Sequence, residues 1–256
     1  RLDNDTLLAG AIAVSGRVVL PIRFVLGRTL EAAEALPDDL KRNSLTLPAA
    51  APSLTAREVI PPLAEFAAPA QALGHITTVP DKDGAVRSEP LLIRYGNRCF
   101  PSFALQLTLK FLNYNLDHLR TGEGIEIGNA RIPTFDESRM LIRYSREVPV
   151  HSFVDVLNHR VPPEAFNNKI ALIALTATGL GSLQATPLGA DTPAWVGTAG
   201  TVNTILNQDH LRRPAWAFWL ELGAMVLFGC FVALAVPRLR PLYGAGASLA
   251  LLLLWI

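Results

Sequence analysis

Cysteine is almost missing from this chain. Its 256 residues hold two, Cys99 and Cys230. Cys230 falls inside a long apolar run near the C-terminus, so the two are not expected to pair. No disulfide framework is available, and neither redox compartment is excluded by that. An excess of charge is missing too. Twenty-three Lys and Arg face 22 Asp and Glu, a formal net charge of +1. No bulk field draws the chain to nucleic acid or to an acidic partner. Arg1 begins directly at a polar helix start, and no signal-peptide pattern precedes it.

The sequence also lacks the familiar catalytic patterns. No HExxH and no paired-cysteine spacing points to zinc. The histidines, His75, His118, His151, His159 and His210, are scattered, and spacing gives none of them a partner. Ser182 lies in GLGSLQ, without the second glycine of a nucleophile elbow. The loop TATGLGSLQATPLG follows an apolar run and looks at first like a phosphate loop. It has neither GxxxxGK nor GxGxxG, and no Lys or Arg lies between Lys169 and Arg212 to neutralise a phosphate. No cofactor is expected. Asp81-Lys82-Asp83-Gly84 opens like a calcium loop but lacks the later acidic ligands. A tight turn fits better, with Gly84 at positive φ and Arg87 pairing with an aspartate across it.

What the chain has is apolar sequence, half of its residues and a mean hydropathy of +0.29. The excess collects at the end. From Ala215 to Val236 there is one charge, Glu221. That is about 22 residues where about 20 cross a bilayer core. Trp216 and Trp219 at its start suit the headgroup level. PRLRP interrupts the run, and LYGAGASLALLLLWI resumes it. In the resumed run, small residues from Gly244 to Ser248 would let helices approach closely. The organisation expected is a domain over 1–211, a first transmembrane helix over 212–236, a short basic loop over 237–241 and the start of a second transmembrane helix over 242–256. The bilayer is then an expected partner. Arg212 and Arg213 on one side of the first span balance Arg238 and Arg240 on the other, so charge does not orient it.

Along the domain, DNDTLLAGAIAVSG has a helix start and a glycine stop. RVVLPIRFV is a strand, with Pro21 marking an edge or an end. Residues 36–62 are rich in Pro, Ala and Ser and predict a long surface loop. PPLAEFAAPA is a short helix, GHITTV a strand, PDKDGAVRS a hairpin turn and EPLLIRY the returning strand. PSFALQLTLKFLNY is a helix capped by Ser102, with Phe103, Leu107 and Phe111 on adjoining turns. EIGNARIP is a small hairpin, RMLIRYS a strand, and FVDVLNHR a short helix that Ser152 can cap. PPEAF is one helical turn. NKIALIAL predicts a buried strand, and AWVGTAGTVNTILNQ a last helix running toward the membrane. Strands alternating with helices give an α/β fold: a layered domain with a mixed sheet, followed by transmembrane α-helices.

Two stretches taken together resemble a known family. GHITTVPDKDGAVRSEPLLIRYGNRCFPSFALQL is similar to the central signature of the CHASE-two (CHASE2) family of extracytoplasmic sensory domains attached to cyclases and histidine kinases. Gly74, His75, Asp81, Asp83, Gly84, Arg87, Pro90, Pro101 and Ser102 carry the match. NKIALIALTATGLGSLQATPLG resembles a second signature through Lys169, Thr178, Gly179, Gly181, Thr186 and Pro187. The departures are Leu175, where the family often has glycine, Ser182, where it often has aspartate, and the stretch before the last helix. The resemblance implies the extracytoplasmic input and membrane region of a bacterial receptor. It implies a domain outside the inner membrane, a homodimer, and a small ligand or other signal. The candidate ligand-binding residues are His75, Asp81, Asp83, Arg87, Thr178, Ser182 and Thr186. It also implies that the family's first membrane helix and first strand lie ahead of this chain, and that any cyclase, phosphodiesterase or kinase output lies beyond it. PRLRP would then be cytoplasmic. The rival readings are a membrane-anchored extracytoplasmic hydrolase and a structural module with no ligand.

Overall fold

The computed structural model describes residues 3–27, 36–48, 53–122, 124–136, 138–145, 148–177, 179–211 and 216–235. It divides into two compact units, Arg1–Leu211 and Arg212–Ile256. The first is a mixed α/β domain, as its alternating pattern predicts.

Helix α1 (Asn4–Ser15) starts where Asp3 accepts from the Thr6 backbone N–H. It stops at Gly16, whose φ of 58° is the left-handed conformation of a helix end. Strand β1 (Val19–Leu26) follows. The region expected to be a long loop holds two elements, α2 (Asp38–Arg42) and β2 (Leu54–Ile60). The sequence of β2, LTAREVI, alternates only weakly, because its place is set by pairing with β1 rather than by one apolar face. Next come α3 (Ala64–Ala67), β3 (Ala72–His75), β4 (Ser88–Pro90), β5 (Leu92–Tyr95) and β6 (Arg98–Pro101).

Five of these strands form the main sheet, in the order β3-β1-β2-β5-β6. The sheet is mixed: β1 runs parallel to β3 and antiparallel to β2, and β2 runs parallel to β5. Pro21 therefore lies in an interior strand. It is tolerated because β1 pairs with β3 over Val19–Ile22 and with β2 only from Arg23 onward. At Pro21 the strand is locally an edge, and the missing N–H costs no ladder bond.

Helix α4 (Phe103–Phe111) is capped by Ser102, whose Oγ accepts from the Leu105 N–H at 3.2 Å. Its deepest residues are Ala104, Leu105, Thr108 and Leu109, rather than Phe103 and Leu107. The reason is that α4 is packed on the sheet on one side and on a later helix on the other. Strands β7 (Leu119–Thr121), β8 (Gly124–Ile127) and β9 (Ala130–Pro133) make a small antiparallel sheet turning at Gly128. Strand β10 (Arg139–Leu141) pairs with β4. The acidic turn before β4 is thus not a hairpin turn, since β3 and β4 pair with different partners.

Two cores result. One gathers Ile22, Phe24, Leu40, Leu73, Ile93 and Phe100 around the main sheet. The other gathers Leu91, Leu105, Leu109, Ile125, Ile132 and Met140 under α4.

Beyond them the chain is less covered. Helix α5 (Phe153–Leu157) buries nothing, and Ser152 makes no side-chain cap. A single 3-10 turn spans Pro163–Phe166. NKIALIAL is not a buried strand: it forms no regular element, joins no sheet, and leaves Ile173 86% and Leu175 69% exposed. An apolar run becomes a strand only where a neighbouring backbone takes its hydrogen bonds, and no described strand pairs with this one. The loop after it ends in a hairpin, β11 (Leu183–Thr186) and β12 (Gly189–Pro193). Helix α6 (Ala194–Leu206) closes the domain.

In the second unit, α7 (Trp216–Cys230) continues through a π-helical turn at Phe231–Ala235. Trp216–Ala233 is long and apolar enough to cross a membrane by length and composition, and its large side chains are exposed. The basic loop and the second expected span lie outside the described residues.

Candidate functional site

Among the described residues, those singled out in the sequence do not form one pocket. They fall into three places: a buried histidine, a charged turn, and a hairpin leading into α6.

His75 ends β3, where it is 1% exposed beside Phe24, ring centroids 6.2 Å apart. Neither ring nitrogen has a hydrogen-bond partner. Burial alone holds its pKa down to about 3, so the ring is neutral. It is a core group. Its neighbour Gly74 shows why the site is tight: a Cβ there would lie 2.6 Å from the Phe103 Cα, so glycine lets β3 meet the start of α4.

Asp81, Asp83 and Arg87 are brought together. The turn closes with the Gly84 N–H bonded to the Asp81 carbonyl and the Asp81 N–H to the Ala85 carbonyl. Gly84 has φ 84°, as the turn reading requires. Asp83 accepts from the Ala85 N–H, and Arg87 donates to both Asp83 oxygens, at 2.9 and 2.6 Å, and to Asp81 at 3.0 Å. Those bonds from Arg87 hold the Asp83 carboxyl down to about 2, and Asp83 in turn raises Arg87. Arg139 comes across from β10 to Asp81 at 3.1 Å and to Ser88 Oγ at 2.7 Å. Each charge in the cluster answers another, so it works as a clasp on the turn.

Ser182 and Thr186 lie on the hairpin side. The Ala194 N–H bonds to the Ser182 carbonyl, and the Thr186 and Thr192 hydroxyls are 2.7 Å apart across the hairpin. The clasp and the hairpin touch, because the Val86 N–H donates to the Ala185 carbonyl at 2.8 Å. The two sequence signatures therefore meet in space. Thr178 lies outside the described residues.

The group that the sequence reading missed is Glu89, in the middle of β4. It is buried, and the Thr201 hydroxyl of α6 donates to its Oε2 at 2.6 Å. Burial pushes its pKa up to about 7, against hydrogen bonds from Thr201 and Ser102 that act to lower it. Tyr144 nearby is pushed up to about 12, first by burial and then by the Glu89 charge, and its hydroxyl donates to the Val86 carbonyl. The one signal in the sequence is a glutamate set between serine and proline in a short run that is otherwise apolar.

Glu89 is one point of a seat for α6. Gly200 lets the helix come close: a Cβ there would lie 2.9 Å from Ile142 Cγ2 and 3.2 Å from the Arg143 carbonyl oxygen. Thr204 accepts from the Arg143 N–H at 3.2 Å and donates to the Gly200 carbonyl. Arg143 pairs with Asp209 just past the helix end. On this side α6 is held by a close glycine and single hydroxyl bonds, while Val202 and Ile205 are buried as well and Ile205 joins the core under α4.

A family model described as the CHASE2 domain matches residues 2–236. No curated protein and no solved structure matches the chain.

Proposed function

The chain belongs to the CHASE2 family of extracytoplasmic sensory domains, and on that premise we propose that it is the input and membrane region of a bacterial transmembrane receptor. The family is sensory rather than catalytic. In this reading the domain lies outside the inner membrane and works as a homodimer. A small ligand or another extracytoplasmic condition favours one of two placements of α6. The shift passes along the chain to the membrane helices and on to an output domain.

The observation that carries the reading is the seat of α6. It is the last described helix before the apolar Trp216–Ala233 segment, and it rests on β4 and on the residues after β10 through Gly200, Thr201 and Thr204. A signal shifts such an equilibrium only by its differential affinity for the two placements. A rearranged α6 is thus the step a ligand must act on.

The test uses the full chain in lipid nanodiscs. A metabolite panel is screened by thermal shift, and hits are followed by a spin label at Asn203 and a second at Leu222. A sensor gives hits that change the environment of both labels. Hits that change neither label, or a panel and pH series that leave both unmoved, would leave a structural module as the better account.

A further inference from the structure

Glu89 is the one buried carboxylate in the described domain that touches α6, and the sensory reading does not use its chemistry. Its surroundings are defined on every side. On β4, Ser88 takes the Arg139 guanidinium, and Arg87 is committed to Asp81 and Asp83. On β10, the residue opposite Glu89 is Met140, which is apolar and buried. Past the end of β10, Tyr144 is neutral and tied to Val86, and Arg143 is tied to Asp209. Between β6 and α4, Ser102 offers a hydroxyl. From α6 comes the Thr201 hydroxyl. His75, whose strand end bridges to Ser102, is neutral. Among the described residues the groups that act on the carboxyl are the Thr201 and Ser102 hydroxyls, and two hydroxyls are weak compensation for a full buried charge.

We propose that Glu89 is a proton-binding site, and that its protonation state sets whether α6 stays seated on β4. As the neutral acid, Glu89 keeps the Thr201 bond without the cost of a buried charge. When it gives its proton to water, the carboxylate is left in an apolar seat, and the favoured response is to let α6 lift and water in. The proton is thereby the signal, or one of the signals, that the domain reads. This inference rests on the sensory reading for its meaning but not for its chemistry.

The sign follows from the direction of the shift. The seated state holds the proton up to about pH 7, whereas an opened, hydrated glutamate releases it near its ordinary 4.5. The seat is fully formed below about 4.5 and weakens as pH rises toward 7, by at most about tenfold per pH unit for one proton. Above 7 both states are ionised and no further change is expected.

The experiment is a pH titration of the full chain in lipid nanodiscs, from pH 4.5 to 8. Infrared difference spectra of wild type against Glu89→Gln isolate the Glu89 carboxyl band. Hydrogen exchange of 198–206, corrected for intrinsic rates, reads the seat. The proposal expects a protonated band that titrates near neutral pH, and protection of α6 that falls in step with it. Glu89→Gln, a fixed mimic of the neutral acid, keeps α6 protected at every pH. Thr201→Val keeps the titration but lowers protection at acid pH, which guards against a Gln variant that fails to fold. A band that vanishes by about pH 5, or a Gln variant with the wild-type pH dependence, overturns the proposal. The two readings separate cleanly. A metabolite that moves α6 while Glu89 titrates normally removes the proton site and leaves the sensor. A pH-driven α6 that never moves the label at Leu222 keeps the proton site and removes the transmembrane signal.

Discussion

Two stretches of this domain look alike as sequence and end differently. PLLIRYGNRCF and NKIALIAL are both short apolar runs bounded by turn residues. The first becomes β5 and β6, with Leu92, Ile93 and Phe100 wholly buried. The second belongs to no sheet. Ile170 and Leu172 are half-buried, while Ile173 and Leu175 are exposed. The difference is not in propensity, since IALIAL is the more β-branched and apolar of the two. It lies in neighbours. The first run has β2 on one edge and a returning strand on the other. A run that is apolar on both faces suits the middle of a covered sheet, and the described residues provide no neighbour for the second.

The comparison can be broken most directly by truncation. Phe100→Ala should cost about 3–5 kcal/mol, because it empties a filled core site against Phe24 at 5.1 Å. Ile173→Ala should change stability by no more than about 0.5 kcal/mol, as an exposed substitution does. Urea melts of both variants decide the matter. A loss of about 2 kcal/mol or more from Ile173→Ala would mean that the run is covered in solution, and the contrast drawn here would collapse.

The same contrast explains how much the sequence could reveal. Helix ends were legible because their chemistry is local: Asp3 and Gly16 bound α1, and Ser102 caps α4. The acidic turn was legible for the same reason, down to Gly84 and Arg87. Strand pairing was not, because it depends on what lies alongside. The pairing of β2 inside a Pro- and Ala-rich region, the split of EPLLIRY between β4 and β5, and the isolation of 168–175 are all matters of neighbours. Of the candidate site residues, Asp81, Asp83 and Arg87 were found together. His75 lies in the core, and Glu89 went unnoticed because a single glutamate ahead of an apolar run is a weak local sign of burial.

Crowding the seat of α6 should cost less than emptying the core. Gly200→Val adds side-chain atoms where even a Cβ would sit 2.9 Å from Ile142 Cγ2. Overpacking of this kind costs about 1–3 kcal/mol. The expected result is a lower urea midpoint together with faster exchange in 198–206. The same change at Gly10, where a Cβ would meet nothing within 4 Å, should leave the packing around α1 untouched. Equal losses at both positions would show that helix propensity, not the seat, is being read.

His75 and Glu89 are both buried titratable groups, and they pull global stability in opposite directions. The folded state holds His75 neutral down to about 3, while an unfolded histidine takes a proton near 6.5. Its contribution is complete above 6.5 and is lost as pH falls toward 3. Glu89 contributes fully below 4.5 and less as pH rises to about 7. Between 4.5 and 6.5 the two slopes largely cancel, so wild-type stability should be nearly flat there. His75→Leu removes one side. Its stability should then fall with rising pH over that range, by about 1.4 kcal/mol per unit at most. A flat profile in the variant would mean that Glu89 titrates near its ordinary value.

The smallest effect is expected at the clasp, where the charges face water. Arg87 lowers the Asp83 carboxyl to about 2, so whatever this pair adds is present above 3.8 and is lost as pH falls through 2. Both partners are solvent-exposed, 43% and 57% by side chain, and salt screens such pairs strongly. Asp83→Asn should therefore leave the urea midpoint at pH 7 almost unchanged, and added salt should erase what difference remains. The backbone of the turn should survive as well, because its closing bonds run from Gly84 to Asp81 and from Asp81 to Ala85 without the Asp83 side chain. A large, salt-resistant loss would show instead that Asp83 holds the turn to the hairpin through the Val86–Ala185 contact. The clasp would then belong to the same cooperative unit as the seat of α6.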